Sequence, residues 1–88
     1  MESRLELFPE PQVLQVQWGE LQANIGPFDF PEILNQRADE LKSFEPELEI
    51  KIINFDDCHS EIFGVGGALH QLGISIHDFQ AHLLTMSR

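Results

Sequence analysis

Asp56-Asp57-Cys58-His59 is the densest run of reactive side-chain types in the chain, and it follows directly on the apolar stretch Leu48 to Phe55. Two carboxylates, a thiol and an imidazole are what acid–base, nucleophilic or metal chemistry would draw on. Their spacing argues against each use. Asp56 and Asp57, as sequence neighbours, point apart and sit in water. Cys58 and His59 are adjacent, which is sterically poor for a nucleophile and its base, and no third residue offers itself to orient the imidazole. His70, His77 and His82 add metal-ligand types, but no CxxC, HxxxH or HExxH pattern occurs, whereas structural metal sites carry ligands at short fixed separations. Gly64-Val65-Gly66-Gly67 resembles a phosphate cradle only in its glycines. It does not directly follow the strand, and Asp56, Asp57 and Glu61 would oppose a phosphate. Close packing of a helix against a sheet is the better reading of these glycines. No cofactor and no metal site is implied, and the chain reads as non-enzymatic.

The elements that would position these residues can be read from periodicity. Residues 1–12 carry Pro9 and Pro11 and read as an extended N-terminal arm, whose Leu5, Leu7 and Phe8 dock back on the domain or onto a partner. Residues 13–88 read as one α+β domain. Val13 to Ile25 forms a β-hairpin turning at Gly19-Glu20, with glycine at the first central position of a type II′ turn. Pairing Trp18 with Leu21 also pairs Val16 with Ala23 and Leu14 with Ile25, making one face apolar. The other face, Gln15, Gln17, Gln22 and Asn24, reads as a solvated surface. It lacks the charges that protect a sheet, so homodimerisation through it is a second reading.

A helix is expected from Asp29, with Glu32 completing a capping box and Phe28 and Ile33 a hydrophobic staple. Phe30, Ile33, Leu34, Ala38 and Leu41 form its buried stripe to about Ser43, and Pro46 prevents continuation. Leu48 to Phe55 is expected to be a central strand covered on both sides in its second half. Leu48, Ile50 and Ile52 point one way, and Ile53 and Phe55 the other. A second helix is expected from Ser60 through Leu72, weakened by its glycines and stopped at Gly73. Ser75 and Asp78 suggest a capped third helix with Ile76, Phe79, Leu83 and Met86 in a stripe, the alternative being a short strand over 74–77. The sum is a small, mainly antiparallel sheet, the N-terminal hairpin plus a central strand, packed with two or three helices.

With 88 residues the chain makes one domain, and a hydrophobic content of 42% is enough for a core. Five Lys plus Arg against fifteen Asp plus Glu give a formal net charge of −10, which repels nucleic-acid phosphate and anionic lipid and favours a basic protein surface. The basic residues Arg4, Arg37, Lys42, Lys51 and Arg88 form no cluster in sequence. A single cysteine makes no internal disulfide, and no apolar run is long enough to span a bilayer, so a soluble protein of a reducing, cytoplasmic compartment is expected.

Two stretches resemble known families, one long and one short. The order hairpin, helix, strand, helix, with a turn at Gly19-Glu20-Leu21 and an acid, Asp56, at the strand end, resembles the front half of a STAS domain, the fold of anti-sigma-factor antagonists. The resemblance covers Val13 to Gly73, with Ile62 to Leu69 near that family's helix-start motif. It implies a regulatory protein partner. The chain has Gly64-Val65-Gly66-Gly67 where the family carries a phosphorylatable hydroxyl, so the resemblance does not extend to a phosphoswitch. Ala68 to Ser75 is similar to the turn of a helix-turn-helix. The recognition helix would present His77, Asp78, Gln80 and His82, with no Arg or Lys for phosphate or guanine, so DNA reading is not expected.

Asp39, Glu40, Glu45, Glu47, Glu49, Asp56, Asp57 and Glu61 crowd acids into the middle of the chain, countered there only by Lys42 and Lys51. The expected function is that of an acidic, non-enzymatic protein-interaction or regulatory module, with Glu45, Glu47, Glu49, Asp56, Asp57 and Glu61 forming the partner surface. Such a field raises association rates with a positive patch by about 10-fold or more at low salt. The acids would also serve plain solubility. Two further classes stay open: an acidic inhibitor or immunity-type protein that covers a nucleic-acid-binding surface, and a small metal-binding protein using Cys58 and His59.

Overall fold

A computed structural model describes residues 10–86 of the chain. The expected arm lies mostly outside these residues, and its last member, Gln12, already begins the first strand. Strands β1 (Gln12–Trp18) and β2 (Leu21–Phe28) form the hairpin, followed by helix α1 (Pro31–Phe44), strand β3 (Glu49–Asn54), a 3-10 turn (Phe55–Asp57), strand β4 (Ile62–Phe63) and helices α2 (Val65–Gln71) and α3 (Ile76–Met86). The fold is α+β, with a four-stranded mixed sheet in the order β3-β1-β2-β4.

The hairpin forms in the register that its side-chain pattern requires, with Trp18 opposite Leu21, Val16 opposite Ala23 and Leu14 opposite Ile25. Gly19 has φ 63 while no described residue other than glycine has a positive φ, so Glu20 does not, which is the pattern of a type II′ turn. Below Ile25 the register shifts: Gln12 faces Phe28, so Gly26 and Pro27 stand opposite Val13 alone. Gly26 is required at this bulge. Its φ is 154, and a Cβ there would lie 3.3 Å from the Gln12 carbonyl oxygen.

One face of the sheet carries the core. Leu14, Val16, Ala23 and Ile25 meet Leu34 and Leu41 of α1, Ala68, Leu69 and Leu72 of α2 and its cap, and Phe79 of α3. All three helices thus lie on one side, and a mutual edge-to-face contact of Phe44 and Phe79, 5.4 Å between centroids, ties α1 to α3. Helix α1 starts at Pro31 with Phe30 as its N-cap and no side-chain cap hydrogen bond, so the Asp29–Glu32 capping box does not form. Proline at the first helical position needs no N–H partner and sets the start one residue later than the acid pattern suggests, with Phe30 rather than Asp29 as N-cap. Phe30 and Ile33 consequently stay 62% and 46% exposed, outside the stripe of Leu34, Ala38 and Leu41.

Strand β3 is not central. Among the described residues it pairs only with β1, antiparallel, and forms one edge of the sheet. Nor is its second half covered on both sides, since Ile52 is 47% and Phe55 41% exposed. The apolar residues on its two faces have a different origin. Ile50 and Ile52 flank Val16 and Leu14 on the helix side, whereas Ile53 lies beside Val13 on the other side.

The chain next crosses the sheet to its far edge, where Ile62 and Phe63 pair in parallel with Asn24 and Ile25. The right-handed rule for parallel crossovers puts α1 on one face and this return connection, 55–61, on the opposite face. Its passage there accounts for the burial of Val13 and Asn24 away from the helices. Asn24 is therefore no solvated carboxamide; it is 2% exposed. The expected helix start at Ser60 is replaced by a loop and β4, and α2 begins only after Gly64. Gly67 lets α2 approach that strand, because a Cβ would lie 3.2 Å from Phe63 Cδ1 and 3.3 Å from its Cβ.

The corner between α2 and α3 follows the local signals. Gly73 has φ 75, its N–H donates to the His70 carbonyl at 3.0 Å, and the Ile74 N–H donates to the Leu69 carbonyl at 2.9 Å, a Schellman motif. Ser75 caps α3 by accepting from the Asp78 N–H at 3.3 Å. The third helix is thus formed, and the strand alternative over 74–77 is not.

Candidate functional site

The run after β3 folds as a tight, open turn. Asp56 and Asp57 lie in the exposed 3-10 turn, and the Cys58 N–H donates to the Phe55 carbonyl at 3.1 Å. Cys58 is half-buried, with its Sγ 3.5 Å from the Ser60 carbonyl, while His59 is exposed. The remaining histidines do not converge on them. His82 Nε2 lies 3.0 Å from Ser43 Oγ and its ring meets Phe44 edge-on, so it joins α1 to α3. Among the described residues no group of three or more His, Cys, Asp or Glu side chains is placed to hold a metal ion.

The acids expected to form one partner surface are spread around the molecule. Glu45, Glu47 and Glu49 lie in the connection from α1 and the first residue of β3, whereas Asp56 and Asp57 follow its last. At about 3.3 Å per residue, β3 alone separates these groups by roughly 17 Å. Glu61 stands at the opposite edge of the sheet, next to β4, where its carbonyl accepts the Asn24 side-chain amide at 3.3 Å. One strand edge and a sheet width therefore part them.

A different set of acids does converge. Between α1 and α3 runs a groove of about 710 Å³, lined by Glu32, Asn35, Gln36, Asp39 and Glu40 on α1 and by Leu83 and Met86 on α3. The α1 residues fall at helical spacings of three and four, which puts them on one face. Glu40 is held in place by Gln36 Nε2, at 3.3 Å, and by an ion pair with Arg37. Met86 is 45% exposed, and nothing on α1 covers it fully. The result is an apolar strip on one wall facing carboxylates and amides on the other. Leu83 also borders a neighbouring depression of about 320 Å³ with Arg37, Val65, Gly66, Ile76, Phe79 and Gln80.

Sequence reasoning placed Met86 and Leu83 in the buried stripe of the third helix and did not find the groove. The one signal available was that this stripe runs on to Met86, at the last turn of the helix. A third hollow, of about 300 Å³, lies at the foot of the sheet between Glu10, Gln12, Asn54 and the start of α1.

No helix among the described residues is long and apolar enough to cross a membrane. No family model, curated protein or solved structure matches this chain.

Proposed function

We propose that the protein is a non-enzymatic interaction module that takes a basic, partly apolar segment of another protein into the groove between α1 and α3. The observation that carries this reading is the pairing of Leu83 and Met86 with Glu32, Asp39 and Glu40 across one cleft. Apolar side chains of a partner would pack on the methionine and leucine, and Lys or Arg beside them would meet the carboxylates. Methionine suits such a floor because its unbranched thioether adapts to different side chains. Glu32 and Asp39 are the acids to carry the charge contact, since Glu40 is already engaged by Arg37. The remaining acids, Glu45, Glu47, Glu49, Asp56, Asp57 and Glu61, act as a surrounding field that speeds encounter with a positive surface. The STAS resemblance would make the partner a regulatory protein.

Titration of isotope-labelled protein with short amphipathic peptides bearing Lys or Arg tests this by amide chemical shifts. Perturbations should map to Glu32, Asp39, Leu83 and Met86, weaken with added salt, and vanish in a variant combining Glu32→Gln, Asp39→Asn and Met86→Lys. Shifts confined to the loop over 45–49 or to Asp56 and Asp57 would refute the groove and return attention to the acids first expected.

The net charge also suits a second reading, a protein that covers the nucleic-acid-binding surface of a basic partner. DNA or RNA would then compete with this protein for the partner.

A further inference from the structure

We infer that the hollow of about 320 Å³ where α1, α2 and α3 meet is an anchor site for one aromatic side chain of the partner segment, tryptophan before phenylalanine. This rests on the groove reading above and adds to it the residue that selects the partner. Leu83 belongs to the walls of both the groove and the hollow, so a segment lying along the groove passes the rim of the hollow. The other apolar walls are Val65, Ile76 and Phe79, with Arg37 beside them. Val65, Ile76 and Leu83 pack against the core yet are only half-buried, which leaves apolar surface for an occupant.

Gly66, which also lines this hollow, is the residue that the fold itself does not require. Glycine is a poor helix former. Its neighbour Gly67 has a packing reason, since a Cβ there would lie 3.2 Å from Phe63 Cδ1. Gly66 has none: its φ is not positive, and the nearest atom its Cβ would meet is Ile76 Cδ1 at an ordinary 3.9 Å. Alanine would suit the helix better and would fit. What a side chain at this position takes up is room in the hollow, so bare backbone here serves the close approach of a group from outside the chain.

Charge and shape decide the occupant. An anion is disfavoured, because Arg37 is already paired with Glu40 and the chain carries a formal net charge of −10. Glu40 holds the guanidinium at one edge, through Nη1, which leaves its planar face for stacking on a ring. Apolar walls with one guanidinium beside them suit an aromatic side chain, which buries a large area at a small cost in conformational freedom. Gln80, exposed and lining the hollow, offers an amide oxygen that an indole N–H uses and a phenyl ring does not. Lys or Arg on the far side of Leu83 then meet Glu32 and Asp39 in the groove. The partner segment is thus one aromatic residue with basic residues to one side of it.

Two helical peptides of Ala, Gln and Lys, identical except for one Trp or Ala beside the lysines, test this by amide shifts of the isotope-labelled full chain. The Trp peptide should bind about tenfold more tightly or better and move the amides of Val65, Gly66 and Ile76. Both peptides should weaken with salt, while the advantage of Trp, being apolar, persists. Gly66→Leu, which fills the hollow, should abolish that advantage and leave the affinity for the Ala peptide unchanged. Gly66→Ala should reduce it in part, in a protein whose urea midpoint is no lower than that of wild type. Equal affinity for the two peptides, or a Trp advantage indifferent to both substitutions, would overturn the anchor and leave the groove standing. No shift with either peptide would remove the groove reading and the anchor with it. Amide changes at Val65, Gly66 and Ile76 on Phe8→Ala in the free protein would put this chain's own arm in the hollow and overturn the partner anchor.

Discussion

Asn24 gives the sharpest test of the packing on the face away from the helices. Its side chain is 2% exposed, Nδ2 donates to the Glu61 carbonyl at 3.3 Å, and Oδ1 is buried with no hydrogen-bond partner among the described residues. Replacing it with valine loses one hydrogen bond, about 1 kcal/mol, and removes a desolvated acceptor whose penalty is about 1–3 kcal/mol. The Glu61 carbonyl then turns to water, because Glu61 itself is exposed. Valine also fits a strand position beside Ile62. The expected net effect of Asn24→Val is a gain of about 1 kcal/mol, read as a higher urea midpoint at unchanged slope, or as a rise in Tm of roughly 4–8 °C.

The companion variant Asn24→Asp should go the other way. A carboxylate in this site is desolvated and unpaired, and its cost should exceed about 2 kcal/mol at neutral pH. Burial would raise the folded carboxyl above its unfolded value of about 3.9. The penalty is therefore absent below about pH 4, grows as pH rises toward the folded value and then levels off. The reasoning fails if Asn24→Val destabilises by more than about 1 kcal/mol, which would mean that Oδ1 has a strong partner such as a buried water. It also fails if Asn24→Asp tracks the wild-type protein at every pH.

The two adjacent helix-start glycines should respond with opposite signs. Gly66→Ala meets Ile76 Cδ1 at an ordinary 3.9 Å and should stabilise by about 0.5–1 kcal/mol, while Gly67→Ala drives a methyl into the Phe63 Cβ at 3.3 Å and should cost about 1–2 kcal/mol. Equal urea midpoints for the two would show that β4 moves away freely. At Gly73, with φ 75 and open space around a new Cβ, Gly73→Ala should cost about 1 kcal/mol from backbone strain alone, and Gly73→Asn less. A Gly73→Ala protein as stable as wild type in thermal unfolding would refute the strain argument.

What was legible in the chain was local. The hairpin register follows from two complementary apolar rows and one turn glycine, all within a few residues of each other. The Gly73 stop and the Ser75 cap are likewise settled by bonds spanning a turn. At the start of α1, Asp29 and Glu32 imitate a capping box, while Pro31 fixes the start by its own ring. Strand β4 has two residues and sits against glycines, so no alternation marks it. Sheet order was the least legible. Ile50, Ile52 and Ile53 make β3 apolar on both faces, as in a central strand, yet its place depends on which neighbours the long connections bring, and these put it at the edge. The six acids expected to act together are close in sequence only because the chain runs along that edge and then across the sheet.

Their dispersal changes what the charge can do. A net charge of −10 spread over several elements attracts any basic surface, but it selects none and fixes no orientation. Selectivity has to come from places where apolar surface meets that field. On the proposed reading the groove is such a place: carboxylates flank Leu83 and Met86, so charge and apolar contact would favour the same basic ligand. A salt series with a basic peptide should then show binding that weakens as ionic strength rises, whereas binding indifferent to salt would mean that the carboxylates of the groove take no part in it.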